Sequence, residues 1–113
     1  MRVFNNQEVE AQAVEEGADK VKIRWLITKE TGAEKFAMRL FEVEPEGYTP
    51  LHSHSWEHEV FILEGKGLVK GGSEEKAFRE GDVIFVPSNE IHQFKNTGED
   101  AVKFLCMIPY LDR

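Results

Sequence analysis

From residue 19 onward the chain alternates. Val21, Ile23, Trp25 and Ile27 are interleaved with Lys22, Arg24 and Thr28, and this period of two predicts a strand with one buried and one wetted face. Thr31-Gly32-Ala33-Glu34 predicts a turn. Phe36 to Val43 predicts a second strand, closed by Glu44-Pro45-Glu46-Gly47, where proline and glycine supply turn dihedrals. Leu51 to His54 reads as short and extended. Glu57 to Glu64 predicts a strand, Gly65-Lys66-Gly67 a tight break, Leu68 to Lys70 a return, and Gly71-Gly72-Ser73 another turn. After Ala77-Phe78 and the turn Glu80-Gly81-Asp82, Val83 to Val86 predicts a strand ended by Pro87, which has no N–H for a ladder. Ile91 to Asn96 and Ala101 to Ile108 complete the series.

Before residue 19 the pattern is weaker. Residues 7 to 18 carry Gln, Glu, Val and Ala, consistent with a helical turn or an irregular arm that Gly17-Ala18-Asp19 breaks. Eight to ten short strands, turns rich in Gly, Pro, Asn and Asp, and no amphipathic helix beyond about twelve residues predict an all-β fold, a small antiparallel barrel or jelly roll. No repeat or linker divides residues 1–113, so one domain with an N-terminal arm over residues 1–18 is expected.

Composition narrows the function. The single cysteine, Cys106, excludes a disulfide scaffold within the chain. No apolar run approaches a membrane span, and Met1 to Glu8 lacks the apolar stretch of a signal peptide, so a soluble cytoplasmic protein without a membrane partner is expected. The net charge of −7 repels phosphate backbones and argues against a nucleic-acid partner.

Three of the four histidines, His52, His54 and His58, fall within seven positions, and His92 lies in a separate predicted strand. Residues two apart on a strand face the same way, so His52 and His54 can turn both imidazoles to one point, with His58 at an even offset. A hairpin can bring His92 opposite. Three or four convergent imidazoles satisfy a divalent d-block cation without any cysteine or carboxylate. The bland alternative is a solvated polar loop with His92 making one hydrogen bond.

Other groups are weaker candidates. Arg39 interrupts an apolar strand and would either clamp a carboxylate from inside the barrel or point outward into a salt bridge. Cys106 shares the alternation of Val102, Phe104 and Ile108, as a buried hydrophobe or as a thiol beside a metal. Trp56 and Phe94 flank the histidines as packing or as a substrate platform. Glu57 and Glu59 have the parity opposite to His58 and make a poor catalytic pair. Ser53 and Ser55 alternate away from the histidines, and no Gly-x-Ser-x-Gly elbow is present. Gly65-Lys66-Gly67 lacks the spacing of a phosphate loop.

The chain resembles the cupin family. Cupins carry a first motif of Gly, then His-x-His, a Glu and a closing Gly. Here Gly47, His52-Ser53-His54, His58 and Gly65 stand in those places, with four residues after Gly47 where five are usual and His58 in place of Glu. The second cupin motif is matched at every spacing by Gly81, Pro87, Asn89, His92 and Asn96. Asn89 stands in place of Gly, a mild change because Asn tolerates positive φ. The two motifs span residues 47–65 and 81–96.

The resemblance implies a double-stranded β-helix, a jelly-roll barrel, with one divalent transition metal per chain in its mouth, held by His52, His54, His58 and His92. The chain is similar to small cupins with four histidines, some of which hold manganese. Ligand softness instead favours Zn, Cu, Fe or Ni, since Mn prefers some oxygen. Four neutral imidazoles leave the full +2 on the ion, which favours an anionic small-molecule ligand. The implied activity is a metal-dependent oxidoreductase of dioxygenase type acting on a small organic molecule, the alternatives being a non-catalytic ligand-binding cupin or a metal-dependent isomerase. A homodimer is expected, on the reading that Val21, Ile23 and Trp25 expose an apolar face beyond what one barrel covers.

Overall fold

The computed structural model describes residues 1–110; the last three residues of the expected domain, 111–113, lie outside them. The described residues form nine strands, the first of them inside the stretch expected to be a helical turn or an irregular arm: β1 (Gln12–Val14), β2 (Asp19–Ile27), β3 (Phe36–Tyr48), β4 (His58–Glu64), β5 (Lys66–Lys70), β6 (Glu75–Arg79), β7 (Val83–Val86), β8 (Gln93–Asn96) and β9 (Val102–Pro109). All the pairings are antiparallel. One layer runs β1-β2-β3-β9-β4-β7, and the second, β8-β5-β6, is joined to it through the end of β3. The result is the all-β jelly roll that the turn spacing predicted.

Facing positions in register build the core. Val21, Val43 and Val102 form one row, Ile23, Phe41, Phe104 and Ile62 the next. Phe104 and Ile62 are fully enclosed, and Phe94 of β8 stacks on Phe104 at 4.7 Å from the opposite layer. The row beyond contains Arg39, Cys106 and Val60, and there the apolar interior gives way to polar groups.

Two expectations are corrected. Glu44-Pro45-Glu46-Gly47 does not close a strand; β3 runs through it to Tyr48. Residues 44–47 face only Lys20 on β2, because Val43 pairs with Val21 and Tyr48 with Asp19. This wide bulge, with Lys20 and Glu46 at positive φ, bends β3 from one layer into the other. A Cβ at Gly47 would stand 2.6 Å from the Asp19 carbonyl oxygen, so the two backbones approach closely only because the residue is glycine. The second correction concerns β2: Val21 and Ile23 are buried within this chain, and only Trp25 of the three is exposed. The ground on which they predicted a dimer face is therefore removed.

The N-terminal arm is a single 3-10 turn, Asn6–Glu8, followed by the short strand β1. Asn5 caps it by accepting from the Gln7 N–H at 2.9 Å, and Arg24 ties it down by donating to the carbonyls of Asn6 and Val9. Among the described residues no helix is long and apolar enough to cross a membrane.

Candidate metal and anion site

The alternation predicted around the histidines holds without a break: from Leu51 to Val60 the odd residues are exposed and the even ones turn inward. His52, His54 and His58 therefore share one side, while Ser53, Ser55, Glu57 and Glu59 face solvent. His52 pairs with His92 through two backbone hydrogen bonds, 3.2 and 2.9 Å, which bring the fourth imidazole opposite the first three. The Asn89 N–H donates to the His54 carbonyl at 2.6 Å and fixes that loop.

The four rings stand at one place. Their centres are 4.3 Å apart for His52 and His54, 4.6 Å for His58 and His92, 4.8 Å for His52 and His92, 5.3 Å for His54 and His58, and 6.2 Å for His54 and His92. An imidazole bound through one nitrogen at about 2.1 Å has its centre about 3.2 Å from the ion, so rings at right angles lie about 4.5 Å apart and opposed rings about 6.4 Å. The observed spacings fall in that range. Among the described residues, however, no three His, Cys, Asp or Glu side chains meet in finished ligating geometry. Ring position is set by the backbone, whereas the direction of the nitrogens depends on χ2, a soft torsion that turns each ring about its own centre. The donor set fits an ion in number and spacing and requires side-chain rotation to close.

Protonation also suits ligation. Burial pulls the His52 pKa down to about 4, helped by His54, His92 and Arg39, and pulls that of His58 down to about 3, helped by His92, Arg39 and the other two histidines. His54 and His92 are lowered as well, again chiefly by burial. All four rings are therefore neutral at pH 7, each with a lone pair. His92 Nδ1–H donates to the Glu90 carbonyl oxygen at 3.0 Å, which fixes its tautomer and leaves Nε2 as the acceptor.

Arg39 points inward. It and Cys106 are direct partners across β3 and β9, and its Nη2 donates to the Cys106 Sγ at 2.9 Å. The guanidinium lies over the rings of Trp25 and Phe41, 5.4 and 5.0 Å from their centres, and its Nε is buried with no partner among the described residues. Burial raises the Cys106 pKa while the Arg39 charge opposes the rise. Arg39, Cys106, Phe94 and the four histidines line one cavity of about 50 Å3. That is room for about three waters or one small ligand. Trp56 stacks on His54 at 4.2 Å, nearly parallel, but does not line the cavity.

Phe41, Phe104, Thr49 and Pro50 also line the cavity and were not singled out from the sequence. Phe41 and Phe104 share the parity of Arg39 and Cys106, a signal that could have found them. Thr49 has no such signal, since it sits at the corner after β3, where its hydroxyl accepts from the Phe94 N–H at 2.9 Å.

A jelly-roll barrel with imidazoles and a cation converging on an internal cavity is the class that fold and site define. The chain belongs to the cupin domain family, Cupin_2, whose sequence profile matches residues 39–108. It is 33% identical over 96 residues to the oxalate-binding protein of Thermotoga maritima, covering 81% of this chain and 78% of that protein. It is 37% identical over 71 residues to the 1-methylthio-D-xylulose 5-phosphate methylsulfurylase of Rhodospirillum rubrum, covering 63% of this chain but 46% of that protein's length. The structure superposes on the polyketide cyclase RemF of Streptomyces resistomycificus with a TM-score of 0.89 at 35% identity, covering 96% of this chain and 79% of that one. These relatives do different chemistry on one fold, so function must be argued from this cavity.

Proposed function

We propose that the protein binds a small carboxylate at a divalent transition metal held by His52, His54, His58 and His92, with Arg39 as the organic anion's second anchor. The observation that carries this reading is the pairing, in one small cavity, of four neutral imidazoles with a guanidinium that, among the described residues, meets no carboxylate and has a buried, unpartnered Nε–H. A cation so placed is stabilised by an anion, and its planar fork suits a carboxylate. The ion would supply positive charge and open positions for ligand oxygen. The imidazoles, being neutral, would leave that charge undiminished. The cavity size limits the ligand to a few non-hydrogen atoms, and the likeness to an oxalate-binding protein supports the same class. Among metals the nitrogen donors favour Zn, Cu, Fe or Ni and the family likeness favours Mn.

A metal-dependent oxidoreductase of dioxygenase type is the second reading, and it depends on a redox-active ion. Cys106 and Arg39, 2.9 Å apart on the cavity wall, would then share the space with substrate and oxygen.

Elemental analysis of protein purified without added metal tests the first half: close to one equivalent is expected, and none would overturn it. Calorimetric titration of the loaded protein with oxalate, acetate and phosphate tests the second. Oxalate binding should weaken at least about tenfold in Arg39→Met, which keeps the apolar stem, while metal content stays unchanged. Equal affinity in both proteins would remove Arg39 from the site.

A further inference from the structure

Thr49 is held more firmly than a corner residue needs to be. It follows Tyr48, which pairs with Lys95 on β8, so Thr49 stands opposite Phe94 and shares its inward direction. The Thr49 N–H donates to the Phe94 carbonyl at 2.9 Å, its carbonyl accepts from the Gln93 side-chain amide at 3.0 Å, and its Oγ1 accepts from the Phe94 N–H at 2.9 Å. Pro50 after it favours an extended backbone. The residue is 5% exposed and lines the cavity that the histidines and Arg39 share.

A hydroxyl has one hydrogen to give and two lone pairs. With one lone pair taken by the Phe94 N–H, the hydrogen turns away from the backbone of β8, and among the described residues it meets no acceptor. A buried donor in that condition is destabilising unless the contents of the cavity accept from it. The wall offers little else: the imidazole lone pairs belong to the ion in the proposed site, and the Cys106 Sγ already accepts from Arg39. Two donors without acceptors among the described residues, the Thr49 O–H and the buried Nε–H of Arg39, therefore belong to residues lining one cavity. An apolar stretch of the same wall is made by Phe41, Phe104 and Phe94, stacked in series with ring centres 5.0 and 4.7 Å apart.

For a carboxylate, this wall discriminates by what the next carbon carries. Acetate or 2-methylpropanoate brings two oxygens, one for the ion and one for Arg39, and leaves the Thr49 hydrogen facing carbon. An acid with an oxo oxygen on the carbon beside the carboxylate brings a third acceptor. We propose that Thr49 selects for that third oxygen by donating its hydroxyl hydrogen to it, so that the ligand is a short 2-oxo acid or oxalate rather than a simple carboxylic acid. The small apolar remainder of a 2-oxo acid suits the aromatic stretch. A site built to hydrogen-bond an oxygen rejects the analogue lacking it, because the donor is then left unpaired. This inference rests on the metal and carboxylate reading above and adds to it the choice among carboxylates.

The test is calorimetric titration of the metal-loaded full chain with pyruvate and with 2-methylpropanoate, two monoanions of similar shape in which a methyl group replaces the oxo oxygen. The native protein should bind pyruvate the more tightly. In Thr49→Val, which keeps the shape and loses the hydroxyl, pyruvate affinity should fall at least about fivefold while 2-methylpropanoate affinity and metal content hold. Thr49→Ser, which keeps the hydroxyl, should keep the native preference. The Val variant also deprives the Phe94 N–H of its acceptor. If that chain does not fold, Thr49→Cys carries the same expectation, since its sulfur still accepts from the N–H while its S–H is a weak donor. A purely structural role would weaken both acids together. Equal losses, or an unchanged preference for pyruvate without the hydroxyl, would overturn the role of Thr49 and leave the metal and Arg39 in place. A native chain that takes up metal but binds neither acid would overturn the carboxylate reading, and this inference with it.

Discussion

Arg39 and Asn89 show how much a single side chain decides here. Arg39 sits at the level where the core turns polar, and its charge lowers the pKa of all four histidines. Asn89 acts through the backbone. At φ 68 it occupies the left-handed region, and its N–H holds the His54 carbonyl. Asn and Gly adopt this φ readily, whereas a β-branched residue is strained there by about 1–2 kcal/mol. Asn89→Gly should therefore leave thermal unfolding and metal content nearly unchanged, while Asn89→Val should lower both. Elemental analysis beside a melting curve separates the two, and a Val variant with full metal content would show that the His54 loop needs no such support.

At the scale of elements, Asn96 closes the barrel where the second motif ends. Its buried amide donates to the carbonyls of Val43 and Asp100, both at 2.9 Å, and its Oδ1 accepts from the Gly98 N–H at 2.8 Å. It thus ties β8 to β3 and shapes the turn into β9, and it does not line the histidine cavity. Asn96→Ala should cost about 3 kcal/mol by leaving these backbone groups without partners. Denaturant unfolding checks this, and Asn96→Asp should fall short of rescue, since a carboxylate cannot donate to either carbonyl. The same scale shows where local signals fail. Pro45 and Gly47 were legible as punctuation, but whether they end a strand or bend one depended on what faced them, and β2 supplies only Lys20 opposite.

For the whole molecule, the sheltered histidines link stability to acid. Their folded pKa values lie below the ordinary 6.5, at about 4 for His52 and about 3 for His58. Between those values and 6.5 the unfolded chain binds more protons than the folded one, so stability rises with pH across that window and is fully present above it. The metal-free protein should therefore melt at progressively lower temperature as pH falls from 7 toward 4. Added metal should raise the midpoint at pH 7, the added stability being about 4 kcal/mol at a thousandfold excess over its Kd. Scanning calorimetry with and without chelator measures both, and a midpoint flat in pH would mean that the rings are hydrated rather than sheltered.

The strands, their turns and the gathering of His52, His54 and His58 on one side were written in the sequence, because a period of two needs only local backbone geometry to assign a face. His92 could be paired with them only through the spacing of a family motif. The inward direction of Arg39 and the burial of Val21 and Ile23 were decided by tertiary structure alone. Parity separates one side of a strand from the other but does not say which side the second layer will cover. That choice is made by the bulge at residues 44–47, which carries β3 from one layer to the other and so determines which rows face each other.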